Sequence, residues 1–246
     1  MIEWLVDWIF GPQCAACGAP AVTLCDACRA SLVELGPACP RCGEPSGESA
    51  TGPGDATDRG APAGLSCRRC ARDPLPLDRV VAPWRFGGQL ASAIRRLKFG
   101  NRAHVARDLA PLWAPALAAA VAEHDAVVVP VPLHWRRRCT RGYDHAWLLA
   151  RHACAFAELP GPVCALRRIR HAPAQSTLPA AERAANVRGA FAPGPGAPAI
   201  TGRAIVLVDD VMTTGATLAA AARALRGTGA ASVTALVLAR ATFARE

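Results

Sequence analysis

No run of about eighteen apolar residues occurs in this chain of 246, so no segment is expected to cross a bilayer as a helix. A secretory leader is also missing. Met1 to Phe10 is apolar but carries Glu3 and Asp7 and has no basic stretch before it. Trp4, Leu5, Trp8 and Ile9 instead fit one face of a short helix that packs on the protein. Without an export signal the chain is expected in the cytoplasm, where thiols stay reduced. Charged residues are sparse at 19% against 52% hydrophobic ones, which excludes a disordered chain and leaves a globular one with a sizeable core. Lysine is almost absent and acids are in deficit, so arginine carries a net charge of +9. Guanidinium forks suit phosphate, and the balance agrees with a polyphosphate substrate, a nucleic acid, or both, without choosing between them.

Cysteine is abundant, and eight of the eleven form four C-x-x-C pairs: Cys14/Cys17, Cys25/Cys28, Cys39/Cys42 and Cys67/Cys70. Each pair can bend into a knuckle offering two thiolates to a tetrahedral zinc ion, so four pairs supply two sites. Gly18 and Gly43 follow the second cysteine of their pairs, where such a turn favours glycine. A disulfide framework competes with this reading but disagrees with the compartment, and a redox motif has no use for four tandem copies. Sequential pairing groups Cys14, Cys17, Cys25 and Cys28 at one metal and Cys39, Cys42, Cys67 and Cys70 at the other. Interleaved pairing would give a cross-brace. The duplicated pattern looks like a double zinc ribbon and favours the sequential arrangement. Glu44 to Gly64, rich in Gly, Ser, Pro, Ala and Asp, reads as a flexible excursion inside the second site. Of the other cysteines, Cys154 and Cys164 read as core residues, and Cys139 falls in a basic loop.

Composition changes after Pro76, which divides the chain into residues 1–76 and 77–246. The second unit alternates strands with helices: a strand over Arg79 to Phe86, a basic helix over Gly88 to Phe99, and a helix over Ala103 to Glu123 broken near Pro111 and Pro115. A strand over Ala126 to Val131 follows, then a basic turn, a helix from His145 to Ala157, and strands at Val163 to Leu166, Ala204 to Val208 and Ser232 to Ala239. Such alternation predicts an α/β fold, a mostly parallel sheet covered by helices on both faces, with ligands at the C-terminal ends of its strands.

One string near the C-terminus carries most of the chemistry. Ile205 to Val208 is a continuous apolar run, expected of a strand buried on both faces. Asp209 and Asp210 follow where that strand is expected to end, then Val211, Met212, Thr213, Thr214, Gly215, Ala216 and Thr217 lead into an Ala-rich helix from Thr217 to Arg226. Helix N-terminal amides and threonine hydroxyls can bind a phosphate, and Gly215 lets the backbone come close. The two acids can hold the cis hydroxyls of a ribose, or a Mg2+ ion bridging ribose and pyrophosphate oxygens. Together these make a site for a phosphorylated sugar. Two further segments bear on it. The rigid strand end Pro130-Val131-Pro132-Leu133, followed by a basic turn through Arg136, Arg137, Arg138 and Arg141, can cradle pyrophosphate, with Arg141 close to the start of the next helix. The polar, basic stretch from Ala174 to Phe191 suits a loop that closes over a polyphosphate.

The Ile205 to Thr217 string resembles the 5-phosphoribosyl-1-pyrophosphate (PRPP) signature of type I phosphoribosyltransferases. The whole layout resembles the ComF family of competence-associated proteins, through the four knuckles, W-R-F-G-G…L-K-F, V-P-V-P-L…R-G-Y, the segment ending A-E-R-A-A-N-V-R-G-A-F, and L-V-D-D-V-M-T-T-G-A-T. This resemblance implies a type I phosphoribosyltransferase fold behind a double zinc ribbon. It implies PRPP as ligand, with Mg2+, and a role in handling single-stranded DNA beside competence-machinery proteins. It further implies that Asp209 and Asp210 fix the ribose, Thr213 to Thr217 the 5-phosphate and Arg141 the pyrophosphate, while Arg183 and Asn186 belong to the closing loop. One position departs: the family's R-G-F-N-Q-A is Arg141-Gly142-Tyr143-Asp144-His145-Ala146 here, and an Asp beside a phosphate repels it unless a metal or arginine intervenes. Three function classes follow: a phosphoribosyltransferase in nucleotide salvage, a PRPP-responsive DNA-handling factor, and a zinc adaptor without catalysis.

Overall fold

The computed structural model describes residues 12–20, 23–46, 66–170 and 187–242. The expected N-terminal helix, the Glu44–Gly64 excursion beyond Ser46, and the closing-loop residues Arg183 and Asn186 lie outside the described residues. Two short helices, α1 (Asp26–Ala30) and α2 (Arg68–Arg72), sit in the cysteine-rich part. There follow β1 (Arg79–Val81), β2 (Trp84–Arg85), α3 (Gly88–Phe99), α4 (Val105–Leu109), a 3-10 turn (Ala110–Leu112), α5 (Ala114–Ala122) and β3 (Val127–Pro130). Next come α6 (Trp135–Arg141), α7 (His145–Phe156), β4 (Leu166–Arg168), β5 (Phe191–Pro193), a 3-10 turn (Ala197–Ile200), β6 (Ala204–Met212), α8 (Ala216–Gly227) and β7 (Ser232–Arg240).

The main sheet is parallel, in the order β1-β7-β6-β3, with β2 also on β7. β6 and β7 are central, and their apolar runs are buried on both faces, as a doubly covered parallel sheet requires. Val206 and Val208 belong to a core built with α3, α5 and α7, and Ile205 and Leu207 to one built with α8. The bent pair Val105–Leu112 and Ala114–Ala122 lies in the first core, where Val105, Leu109, Trp113 and Leu117 are fully buried. Burying such apolar side chains stabilises the fold by roughly 1.5–3 kcal/mol each. No single helix among the described residues is long and apolar enough to cross a membrane.

Four expectations change. The strand read as Arg79 to Phe86 is interrupted, because Pro83 has no N–H to donate to a ladder; its carbonyl instead accepts from Leu35, and Arg85 N–H donates to the Val33 carbonyl. Ribbon residues thereby cover the outer side of β2, which would otherwise be an open edge. The basic stretch read as a turn is helix α6, closed by the left-handed Gly142, so Cys139 is helical and exposed. The strand expected at Val163 to Leu166 is displaced to β4, which pairs antiparallel with β5 outside the main sheet. Cys164, expected in the core, is exposed, whereas Cys154 is buried as expected.

Candidate functional site

The eight paired cysteines form two clusters, Cys14, Cys17, Cys25 and Cys28 and then Cys39, Cys42, Cys67 and Cys70, each with its sulfurs within 4.8 Å of one another. Pairing is therefore sequential. Tetrahedral zinc with bonds of about 2.3 Å places its sulfurs about 3.8 Å apart. The Cys17–Cys25 and Cys42–Cys67 sulfurs are 3.7 Å apart, so the donor sets fit the ion. Backbone N–H groups of Cys25 and Cys67 point at the sulfurs of Cys14 and Cys39 (3.4 and 3.3 Å), which favours thiolate. Without a cation, burial and crowding by neighbouring sulfurs push Cys70 up to about 12 and raise Cys28 and Cys42 further. Gly18 and Gly43 adopt φ of +83° and +67°, the left-handed conformation of the knuckle turn.

β6 does not end at the acidic pair. It stays paired with β7 through Met212, so Asp209 and Asp210 are strand residues whose Cβ atoms leave opposite faces of the sheet, yet a carboxylate oxygen of each and a ring nitrogen of His145 lie within 4.8 Å of one another. This corrects the expectation that both acids crown a finished strand, and it gives the two carboxyls different neighbours although their oxygens converge. Asp209 lies on the α8 face and lines a shallow, open pocket with Val211, Met212, Thr213, Gly215, Ala216, Thr217 and Leu218. Burial, reinforced by the charge of Asp210, pushes its carboxyl up to about 8. Asp210 is buried on the other face, where Lys98 Nζ at the end of α3 lies 2.6 Å from Oδ2 and His145 Nε2 lies 3.5 Å from the same atom. Burial opposes its ionisation, but Lys98 and His145 outweigh that and hold it below the ordinary carboxylate range.

His145 opens α7, and burial lowers its pKa, so its ring is neutral at pH 7. Its Nδ1 is 3.3 Å from Arg141 Nη1. A guanidinium only donates, so Nδ1 accepts and the ring proton sits on Nε2, facing Asp210. Arg141, the last residue of α6, also lies over the exposed Phe99 ring at 4.9 Å. The result is a continuous chain from Lys98 through Asp210 and His145 to Arg141. Asp144 is engaged on both carboxylate oxygens by backbone N–H groups. Its Oδ1 caps α7 by accepting from Ala146 and Trp147 N–H, and its Oδ2 accepts from Leu133 N–H at 2.7 Å. That carboxylate therefore engages the N–H of Leu133, one of the two residues, with Pro132, expected to cradle pyrophosphate.

The turn from Thr213 to Gly215 joins β6 to α8. Gly215 has φ +83°, a conformation that strains other residues, and a Cβ there would have to displace the Met212 methyl (2.6 Å) and press on Leu75 (3.0 Å). Thr214 Oγ1 accepts from Ala216 N–H (3.4 Å). Ala216, Thr217 and Leu218, the first turn of α8, line the pocket.

Lys98, His145 and Arg240 escaped the sequence reading as members of this constellation. Lys98 carried a signal, being the chain's single lysine among many arginines. His145 sits where the R-G-F-N-Q-A pattern departs. Arg240 ends an apolar strand, and nothing in the sequence indicates that its side chain turns inward. Several basic side chains are engaged within the protein: Lys98 by Asp210, Arg96 by the Cys14 carbonyl and Arg69 by the Thr214 carbonyl.

Comparison with known proteins agrees with this construction. A double zinc ribbon domain model matches residues 5–71, and a phosphoribosyl transferase domain model matches residues 148–245. Competence protein F of Haemophilus influenzae is 31% identical over 71% of this chain and 78% of its own length. DNA utilization protein YhgH of Escherichia coli K12 is 30% identical over 85% of this chain and 87% of its own. Competence protein ComFC of Bacillus subtilis is 27% identical over 90% of this chain and 85% of its own. With two zinc-ribbon sites docked on a parallel sheet of the phosphoribosyltransferase kind, the chain belongs to the ComF family of competence and DNA-utilization proteins.

Proposed function

We propose that this protein binds PRPP at the C-terminal end of its central strand and uses that site in the handling of single-stranded DNA, in the cytoplasm and alongside competence proteins. One observation carries the reading: Asp209 and the turn into α8 line the same pocket. A carboxylate for ribose hydroxyls thus stands next to amides and a helix dipole suited to a 5-phosphate. In this reading Val211 to Thr217 take the phosphate, Pro132, Leu133 and Arg141 the pyrophosphate end, and Arg183 and Asn186 the closing loop, with 1–76 and 77–246 as the two working units.

The oxygen donors suit Mg2+ as the counter-ion. His145, Asp209 and Asp210 each offer one donor atom within 4.8 Å of the others and would hold the ion, which would displace the proton that Asp209 carries at pH 7. When bound, the ion would offset charge gathering on the pyrophosphate. In a transfer, the bond from the anomeric carbon to pyrophosphate breaks with its electron pair leaving on the pyrophosphate, and the acceptor's nucleophile takes the vacated position. Arg141, held by His145, stabilises the departing charge.

The DNA part draws on the names of the relatives and on α6. There Trp135 is exposed with Arg136 5.3 Å from its ring, and Arg138 is also exposed, a combination that suits stacking of unpaired bases and contact with phosphates. Calorimetry with PRPP and Mg2+, paired with an assay of pyrophosphate release in the presence of nucleobases or single-stranded DNA, tests the proposal. Binding should vanish in Asp209→Asn while fold and zinc content persist. Undiminished affinity in that variant means the ligand binds elsewhere.

A further inference from the structure

Arg240, the last residue of β7, is 1% exposed and makes hydrogen bonds in two directions. Toward the second ribbon, Nε donates to the Cys42 carbonyl (3.1 Å) and Nη2 meets Glu44 Oε2 (2.9 Å). Toward the phosphate turn, Nη1 donates to the carbonyls of Met212 (3.2 Å) and Thr213 (2.6 Å). Arg69, beside the ligand Cys70 on α2, donates to the next carbonyl, that of Thr214 (3.1 Å). Leu75, a few residues on, lies where a Cβ on Gly215 would be. Four consecutive residues of the turn, Met212 to Gly215, are therefore braced by the second ribbon and by the arginine that joins it to β7. The first ribbon lies elsewhere, against α3, where Arg96 reaches the Cys14 carbonyl.

The consequence follows from the peptide group. It is planar and trans, so its C=O and N–H point in opposite directions. Pinning the carbonyls of Met212, Thr213 and Thr214 fixes the N–H groups of Thr213, Thr214 and Gly215 pointing away from the two guanidinium groups. The pocket lined by Thr213 and Gly215 is where such donors are needed. A buried guanidinium is stable only while its acceptors stay in place. Two of those acceptors, the Cys42 carbonyl and Glu44, belong to the Cys39–Cys42 knuckle of the second ribbon.

We propose that Arg240 and Arg69 are positioning residues for the phosphate turn, and that the second zinc ribbon is a working part of the ligand site whose metal state sets the turn's conformation and affinity. The proposal rests on reading that turn as the 5-phosphate site.

The experiment uses the full chain and measures hydrogen exchange over 211–218, zinc content, and calorimetric affinity for PRPP with Mg2+. Arg240→Met and Arg69→Met should each speed exchange in the turn about tenfold, with 205–208 unchanged and two zinc ions retained. Affinity should fall about tenfold, a usual size for coupling between sites. Arg69→Lys, which keeps a donor, should restore protection. Cys67→Ser, which opens the second site, should loosen the turn, and Cys17→Ser, which opens the first, should not. Unchanged exchange in Arg69→Met, or equal loosening by both cysteine variants, overturns the proposal, and the exposed Arg69 carries the test if Arg240→Met does not fold. Failure of the wild type to bind PRPP would refute the ligand assignment separately, because the exchange measurements still report whether the ribbon holds the turn.

Discussion

Replacing Lys98 with methionine isolates the ion pair that divides the two acids. Lys98 Nζ and Asp210 Oδ2 are 2.6 Å apart, with side chains 25% and 4% exposed. Removing one partner of a buried pair costs about 3–5 kcal/mol. Lys98 is a quarter exposed and His145 still faces Asp210, so the lower end applies, about 3 kcal/mol at pH 7. The loss should depend on pH. In the wild type Asp210 is held below its ordinary value of 3.8, so the pair's stabilisation is present above that value and is lost as pH falls through the lower folded one. In the variant, burial without Lys98 raises the carboxyl, and stability falls as pH climbs. The difference between the proteins should therefore be smallest below the lowered folded pKa of Asp210, already be present near pH 4 and grow further towards pH 8. Urea unfolding of zinc-loaded protein, followed by tryptophan fluorescence and far-UV dichroism with coincident transitions, measures it. The double variant Lys98→Met/Asp210→Asn should be more stable than Lys98→Met alone, because no unpaired charge remains. A loss below about 0.5 kcal/mol that is flat with pH is what a surface lysine produces, and it would falsify the buried-pair account.

Metal analysis should find two zinc ions per chain, falling to one in Cys17→Ser; a wild-type value near one would remove a site. Asp209, pushed up to about 8, holds a proton at pH 7 that the unfolded chain has already released. Its contribution to stability should therefore decline as pH rises from 3.8 to about 8, and wild type should lose stability relative to Asp209→Asn across that window. A constant difference between the two would show that Asp209 titrates normally. Anisotropy with a labelled single-stranded oligonucleotide should show affinity falling steeply with salt. Removing Arg136 and Arg138 should reduce the slope of log K against log salt by about 1.4, from about 0.7 per phosphate. An unchanged slope would place the DNA contact elsewhere, and no binding at low salt would make the role indirect.

The elements that depend on local pattern were legible in the sequence alone. α3 spans Gly88–Phe99 as read, because its apolar residues recur at helical spacing and a glycine follows its end. The knuckles were legible because C-x-x-C spacing by itself brings two sulfurs to one ion. The turn into α8 was legible as part of an ordered string, but the strand before it runs further than the string suggests. A run that changes from apolar to acidic looks like a strand's end, whereas β7 continues to pair with β6 through Met212 and keeps both acids in the strand. That pairing joins residues far apart in the chain, and it sends Asp209 to the pocket and Asp210 to Lys98. α6 was read as a turn because its arginines give no apolar period, yet the helix is closed at Gly142 and leads into α7, capped by Asp144. Sequence spacing also left open which knuckles share a metal; the distances between sulfurs settled it. Nor does any local pattern show that Arg240 turns inward to join Cys42 to Thr213 across the fold. Local chemistry thus determined which groups the protein carries. Tertiary pairing decided which of them meet, because a charge's partner is set by where the strands and helices bring it and not by its neighbours along the chain.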